Sequence, residues 1–292
     1  MRCLLVLAIA LLQGCSSLLF YPEKGLRFTP TRAGLEFGDK YLTAADGTQL
    51  NAWWLPAQAG TEVKGTILYL HGNGGNMAMH LGAPWWLPEQ GYQVLMLDYR
   101  GYGLSQGEPS LPALYQDIDA AFTELDDNPD VRGKPLFVLA QSLGGALAVH
   151  YLAEHPQQAD KLDALIIDGT PASYRDVAQY VLSTSWLTWL FQVPLSEFVP
   201  DSDSAIAAIP KLKGLPLLMY HSIDDAVVPV ANAISLYQAA PAPRVLQLTR
   251  GPHVQTFNDP TWRQVLLMFM SDPQGFTGLR RLAEVPNSES PQ

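Results

Sequence analysis

Short, largely apolar runs recur along this chain at 66–70, 92–97, 135–139, 164–167, 216–220 and 244–248, the first of them continuous. A continuous run of that length reads as a strand buried on both faces. Between the runs the apolar positions fall at helical spacing. Helices are expected after the loop at 71–76 to about 89, over 113–125, from the small residues after 142 to the stop at His155-Pro156, over 230–238 and over 260–270. Asp46-Gly47 is a turn signal between 40–43 and 50–55, predicting a hairpin of edge strands. Strand alternating with helix implies an α/β fold with a mostly parallel central sheet flanked by helices. The chain shows no internal repeat. Residues 15–40 read as an irregular tether punctuated by Gly and Pro, with residues 18–21 either packed on the body or in contact with a membrane, 41–276 as one folded domain, and 277–292 as a tail expected to fray.

The most informative stretch is Leu139-Ala140-Gln141-Ser142-Leu143-Gly144-Gly145. Ser142 falls in the turn between a buried strand and a helix. There its hydroxyl projects off the sheet, and the helix N-terminus directs backbone N–H groups at any negative charge that forms nearby. Such a turn needs small residues two before and two after the serine, here Ala140 and Gly144. Glycine is usual at both, so Ala140 is a departure by one methyl.

Composition narrows the class. With 292 residues, 48% of them hydrophobic, the chain can bury a large core. A net charge of −10 without a Lys/Arg cluster argues against a nucleic-acid partner. The first residues run Met1-Arg2, then an apolar stretch from Cys3 to Leu12, then Leu12-Gln13-Gly14-Cys15-Ser16. That is a signal-peptide pattern over 1–14, too short to span a bilayer comfortably. A Cys directly after the Gly resembles the lipobox of bacterial lipoproteins. The resemblance implies cleavage before Cys15, lipidation at Cys15 and anchoring in the cell envelope. Ser16 in place of Asp favours the periplasmic face of the outer membrane on the same resemblance. Cys3 and Cys15 are the only cysteines, so no disulfide and no cysteine metal site is expected in the mature chain. No metal-type His/Asp spacing occurs, and Gly72-Asn73-Gly74-Gly75 lacks the spacing of a nucleotide loop. No metal and no cofactor are expected.

A serine becomes a good nucleophile only beside a base that is itself oriented by an acid. His221-Ser222-Ile223-Asp224-Asp225 follows the strand at 216–220, and Thr249-Arg250-Gly251-Pro252-His253 follows that at 244–248. The order Ser…Asp…His is the one this topology requires, with Asp224 and Asp225 both open as the acid.

With these residues in view, the chain over about 40–272 resembles an α/β-hydrolase fold serine hydrolase. Within that superfamily it resembles the BEM46-like branch and its ABHD-type relatives. The carrying residues are His71-Gly72-Asn73-Gly74-Gly75-Asn76, Asp98-Tyr99-Arg100-Gly101-Tyr102-Gly103, Gln141-Ser142-Leu143-Gly144-Gly145, and an acid four before Pro229. The resemblance implies Ser142 as nucleophile, His253 as general base and Asp225 as the acid, with the backbone N–H groups of Leu143 and Asn73 as oxyanion hole. Ser222 stands where Gly is frequent, and Asp224 is a second carboxylate beside the expected one. A helical cap is expected over about 171–212, where Trp186, Trp189 and Phe191 either line a substrate pocket or fasten the cap to the core. The implied activity is hydrolysis of an ester or thioester of a small-molecule or lipid-like substrate at a membrane. A peptidase or amidase on the same residues, or a non-catalytic binding lipoprotein, are the alternatives. His80, His150, His155 and His221 read as packing or surface residues, and His71 as orienting the oxyanion loop.

Overall fold

The computed structural model describes residues 20–183 and 201–278. Cys15 and the signal segment, Trp186, Trp189, Phe191 and the tail from 279 lie outside the described residues.

Eight strands form one sheet: β1 (Gly38–Thr43), β2 (Gln49–Leu55), β3 (Gly65–Leu70), β4 (Tyr92–Leu97), β5 (Leu136–Gln141), β6 (Ala164–Asp168), β7 (Leu217–Ser222) and β8 (Arg244–Thr249). Their spatial order is β1-β2-β4-β3-β5-β6-β7-β8. β1 and β2 pair antiparallel, as do β2 and β4, and the remaining pairs are parallel. The helices are α1 (Met77–His80), α2 (Ala113–Asp127), α3 (Leu143–Glu154), α4 (Pro156–Ala159), α5 (Tyr174–Ser183), α6 (Ala205–Ala208), α7 (Ala231–Ala239) and α8 (Pro260–Ser271).

β3, β4, β5, β6 and β7 are buried along their whole length. Residues on alternate faces of these strands feed two separate cores. Leu68, Leu70 and Val138 pack with Leu147 and Phe122 on one side, while Tyr69, Phe137 and Leu139 pack with Leu266 and Phe269 on the other. This is the period of two expected for a sheet covered on both faces.

Three expectations change. β2 is not an edge strand, because it pairs with both β1 and β4 and is buried except at its first residue. The single helix expected up to residue 89 is instead the one-turn α1, a run of turns and a 3-10 turn at Pro88–Gln90. Pro84 and Pro88 cannot donate the N–H groups that a continuous helix needs. The irregular stretch from Phe20 onward is no free tether. Glu23 N donates to Gly75 O, Gly25 N to Gly103 O and Gly103 N to Glu23 O, each at 2.9 Å, and Phe20 is buried in the core.

The sheet order reverses at β3, whose neighbours are β4 on one side and β5 on the other. Loops leaving the carboxyl ends of β3 and β5 diverge there and open a crevice, the usual place for a site in such sheets. The wall of that crevice requires one glycine. Gly144, in the first turn of α3, lies against the carbonyl oxygens of Leu70 and His71, so a Cβ would collide with backbone. Gly144→Ala is expected to destabilise the fold by on the order of 3 kcal/mol through overpacking. Thermal denaturation checks it, and an unchanged midpoint would show that the loop can yield.

Candidate active site

β5 and α3 meet at Ser142 without an intervening loop. Ser142 has φ 51° and ψ −118°, and Val254 is the other residue besides glycine with positive φ among the described residues. Such a conformation costs a non-glycine residue on the order of 1–3 kcal/mol and persists only where its surroundings enforce it. Here Ser142 N donates to Asp168 O (2.8 Å), and the Gly144 contact fixes how α3 leaves the turn.

Three sequence-predicted residues from three different loops converge. Ser142 Oγ lies 2.9 Å from His253 Nε2, and His253 Nδ1 lies 2.6 Å from Asp225 Oδ2. The buried carboxylate can only accept, so Nδ1 carries the proton and Nε2 presents its lone pair to the serine. Asp225 Oδ1 accepts from Val227 N and Val228 N, each at 2.8 Å. Burial raises the Asp225 carboxyl, but the hydrogen bonds from His253 and these amides outweigh it and hold the group below its ordinary value. Asp224 serves elsewhere: Gly251 N donates to its Oδ2 (3.2 Å), and Arg250 lies beside its Oδ1. It ties the loop after β7 to the loop after β8, which holds His253. His221 is buried, with Nε2 donating to Val228 O (2.8 Å), and burial lowers its pKa, so it supports the Asp225 turn as a neutral ring.

The loop after β3 passes directly over the serine. A Cβ on Gly72, the residue before Asn73, would sit 3.2 Å from Ser142 Cβ. Leu143 is the first residue of α3, where helix N–H groups have no partner within the helix. His71 is fully buried, with Nδ1 donating to Gly72 O (2.7 Å) and Nε2 lying 3.2 Å from Asp98 Oδ1. Next to it, His80 Nε2 donates to Gly74 O (3.0 Å), and the two rings stack at 5.2 Å. Burial, with His71 adding to it, lowers the His80 pKa to about 4, so that ring is neutral. His80 is therefore part of the site wall and not merely a packing residue of a helix. It lines a cleft of about 290 Å³ with Met79, Gln141, His253, Gln255 and Phe257, and no Asp, Glu, Lys or Arg lines that cleft among the described residues.

A buried polar network missed by the sequence reading lies beneath the serine. Gln141 Oε1 accepts from Tyr69 Oη (2.6 Å), and Gln141 Nε2 donates to Asp168 Oδ2 (2.8 Å) and Val254 O (3.0 Å). Thr256 Oγ1 donates to Asp168 Oδ1 (2.9 Å). One amide thus links the serine strand to the loop of His253. The available signal was a carboxylate closing an otherwise apolar run, at Asp168.

With this geometry in view, comparison with known proteins decides the family. The family model described as "Serine aminopeptidase, S33" matches residues 61–205. YfhR of Escherichia coli (strain K12) is 33% identical over 221 residues, covering 75% of this chain and 74% of the relative. The chain belongs to the α/β-hydrolase family. Protein bem46 of Schizosaccharomyces pombe is 29% identical over 210 residues, 72% of this chain and 67% of that protein. Among solved structures, the Pyrococcus furiosus esterase Pf2001 superposes with a TM-score of 0.70 at 23% identity, covering 88% of this chain and 98% of its own, an agreement of fold.

Asp168 yields a pH test. Burial raises its pKa to about 6 against the smaller lowering by Gln141 and Thr256. The folded protein then holds a proton that the unfolded chain releases near pH 4. This contribution to stability is fully present below about pH 4 and is lost as pH rises through about 6. Between those limits wild type should lose about 3 kcal/mol relative to Asp168→Asn. Urea denaturation of both at stepped pH measures it, and a difference constant with pH would refute it.

Proposed function

We propose that this hydrolase cleaves a carboxylic ester or thioester through an acyl-enzyme on Ser142. The carrying observation is the unbroken hydrogen-bonded line from Ser142 Oγ through His253 to Asp225. Ser142 Oγ attacks the carbonyl carbon while its proton passes to His253 Nε2, and the carbonyl oxygen gains the negative charge. Backbone N–H groups of Leu143 and Asn73 stabilise that oxyanion. The tetrahedral intermediate collapses by breaking the bond to the leaving oxygen or sulfur, which takes the proton from His253. Water, deprotonated by His253, then attacks the acyl carbon and frees Ser142. Asp225 holds the imidazole tautomer and stabilises the imidazolium throughout.

The choice of ester over peptide rests on the cleft. An aminopeptidase must balance its substrate's ammonium group, and the described cleft lining offers no carboxylate for it. Asp225 is engaged with His253, and Asp168 is buried beneath Gln141. The esterase fold neighbours favour the same reading, whereas the wording of the matching family model favours the amidase. These observations support a small-molecule or lipid-like ester as the substrate class of this reading. The lipobox at Leu12-Gln13-Gly14-Cys15 supports anchoring through Cys15 in the bacterial envelope. The described body begins at Phe20, which an extended chain keeps within on the order of 20 Å of the lipidated residue.

Two measurements test this. Nitrophenyl esters of graded acyl length and proline or alanine nitroanilides are assayed with wild type and Ser142→Ala. Esters should turn over and Ser142→Ala should abolish it, whereas anilide cleavage alone would make the protein an amidase. Asp225→Asn should lower kcat by about 10⁴-fold, because the amide stabilises the wrong tautomer, with Asp224→Asn within a fewfold of wild type. In cells, labelled palmitate should mark wild type and not Cys15→Ser, and label persisting in the variant would remove the anchor.

A further inference from the structure

The oxyanion loop poses a problem of rigidity. Gly72 is pressed against Ser142, a Cβ on Gly75 would strike Met79 Sδ at 2.6 Å, and Gly74 and Gly75 have φ of 81° and 82°. These positions call for glycine, yet a run so rich in glycine carries the greatest backbone freedom of any sequence. A loop that must hold an N–H within a few tenths of an ångström of a developing charge has to be stiffened from outside.

Two elements supply contacts of that kind. The N-terminal segment from Phe20 to Gly25 lies between the loops after β3 and β4. Gly75 N donates to Tyr21 O (3.2 Å), Glu23 N to Gly75 O, and Asn76 Nδ2 to Glu23 O (3.1 Å) and Gly25 O (2.6 Å). Its far edge is held by Gly103 and by Lys24 Nζ, which donates to Ser105 O (3.0 Å). The contacts meet at one atom. Asn73 Oδ1 accepts from Tyr21 N (2.9 Å), from Gly74 N (3.1 Å) and from Tyr102 Oη (2.8 Å). Tyr102 is itself wedged against His71, with ring centroids 5.2 Å apart.

We propose that the Phe20–Gly25 strap and Tyr102 form a brace that clamps the Asn73 carboxamide and so aims the loop after β3 at the oxyanion of the Ser142 reaction. Tyr21 and Tyr102 are positioning residues, acting through Asn73 without touching substrate. The inference rests on the hydrolase reading above. It also gives the chain just beyond Cys15 a second duty, since the segment that would tie the enzyme to its anchor also completes its active site.

The test uses the full chain. Tyr102→Phe removes one donor to Asn73 Oδ1 and keeps the ring on His71. Tyr21→Pro removes another, because proline has no N–H. Arg27→Ala, which breaks only the exposed pair of Arg27 with Glu23, is the control. Each protein is titrated with a fluorophosphonate, so that kcat is expressed per reactive serine and unfolded material drops out. A trifluoromethyl ketone, whose adduct with Ser142 carries the oxyanion, reports the hole directly. Tyr102→Phe and Tyr21→Pro should each lower kcat roughly tenfold, part of the loss seen when an oxyanion donor is removed outright. KM should stay within about twofold and the ketone should bind more weakly by the same factor as kcat, the mark of an interaction made in the transition state. Arg27→Ala should match wild type. Unchanged kcat and ketone affinity in both variants of an active enzyme would overturn the brace and leave the hydrolase reading standing. A kcat loss without weaker ketone binding would also overturn it. Wild type with neither turnover nor fluorophosphonate labelling would overturn both.

Discussion

The structure depends on one close approach, that of the first turn of α3 to the end of β3. With Gly144 against the Leu70 and His71 carbonyls, the chain leaving β5 has no room for a loop, and Ser142 must take a positive φ. That strain is distributed. Val254, beside His253, is also at positive φ, and the Gln141 side chain runs from the serine strand to the Val254 carbonyl. Gly169 lies so close that a Cβ there would be 3.0 Å from both His253 Cε1 and Val254 Cγ1. Ser142 and Val254, the neighbour of His253, are each held in an unfavourable backbone state, and one amide spans the two. Neither turn could relax without breaking hydrogen bonds that are at least partly buried.

Two buried carboxylates lie near the imidazole, and their surroundings drive them apart. Asp225 receives two backbone N–H groups and the His253 ring, enough to overcome burial and keep it charged. Asp168 receives two neutral side-chain donors, and burial prevails. Of the two, it is Asp225 that bonds the His253 ring, while Asp168 is taken up by Gln141 and Thr256, which leaves Asp225 as the partner that sets the tautomer.

The alternation of strand and helix was legible because apolar runs for double-sided burial depend on local sequence alone. The choice of Asp225 over Asp224 came from the family resemblance, through its register with Pro229, and not from spacing alone. The amides that hold Asp225 belong to Val227 and Val228, within the same turn, so the register to Pro229 carries the geometry. The Tyr69–Gln141–Asp168–Thr256 network joins β3, β5, β6 and the loop after β8, and no spacing in the chain records which side chains will face one another there. The strap from Phe20 escaped for a different reason. It pairs through isolated backbone bridges to Gly75 and Gly103, and backbone hydrogen bonds place no demand on side-chain pattern. The helix expected up to residue 89 failed because Pro84 and Pro88 outweighed an apolar spacing that instead serves a buried run of turns.

The neutrality of the cleft wall completes the electrostatic argument. In the proposed reaction His253 would become positive as Ser142 loses its proton, and any cation facing it would oppose that step. His80 is the neighbour that could do so, since its ring lies close enough for the two charges to be felt. The bond to the Gly74 carbonyl keeps the His80 proton on Nε2, while burial, against the raising effect of that bond, keeps the ring uncharged down to about pH 4. The same bond fastens α1 to the oxyanion loop. One histidine thus helps to hold the loop that would receive the negative charge, while burial denies it the positive charge that would raise the barrier to forming it.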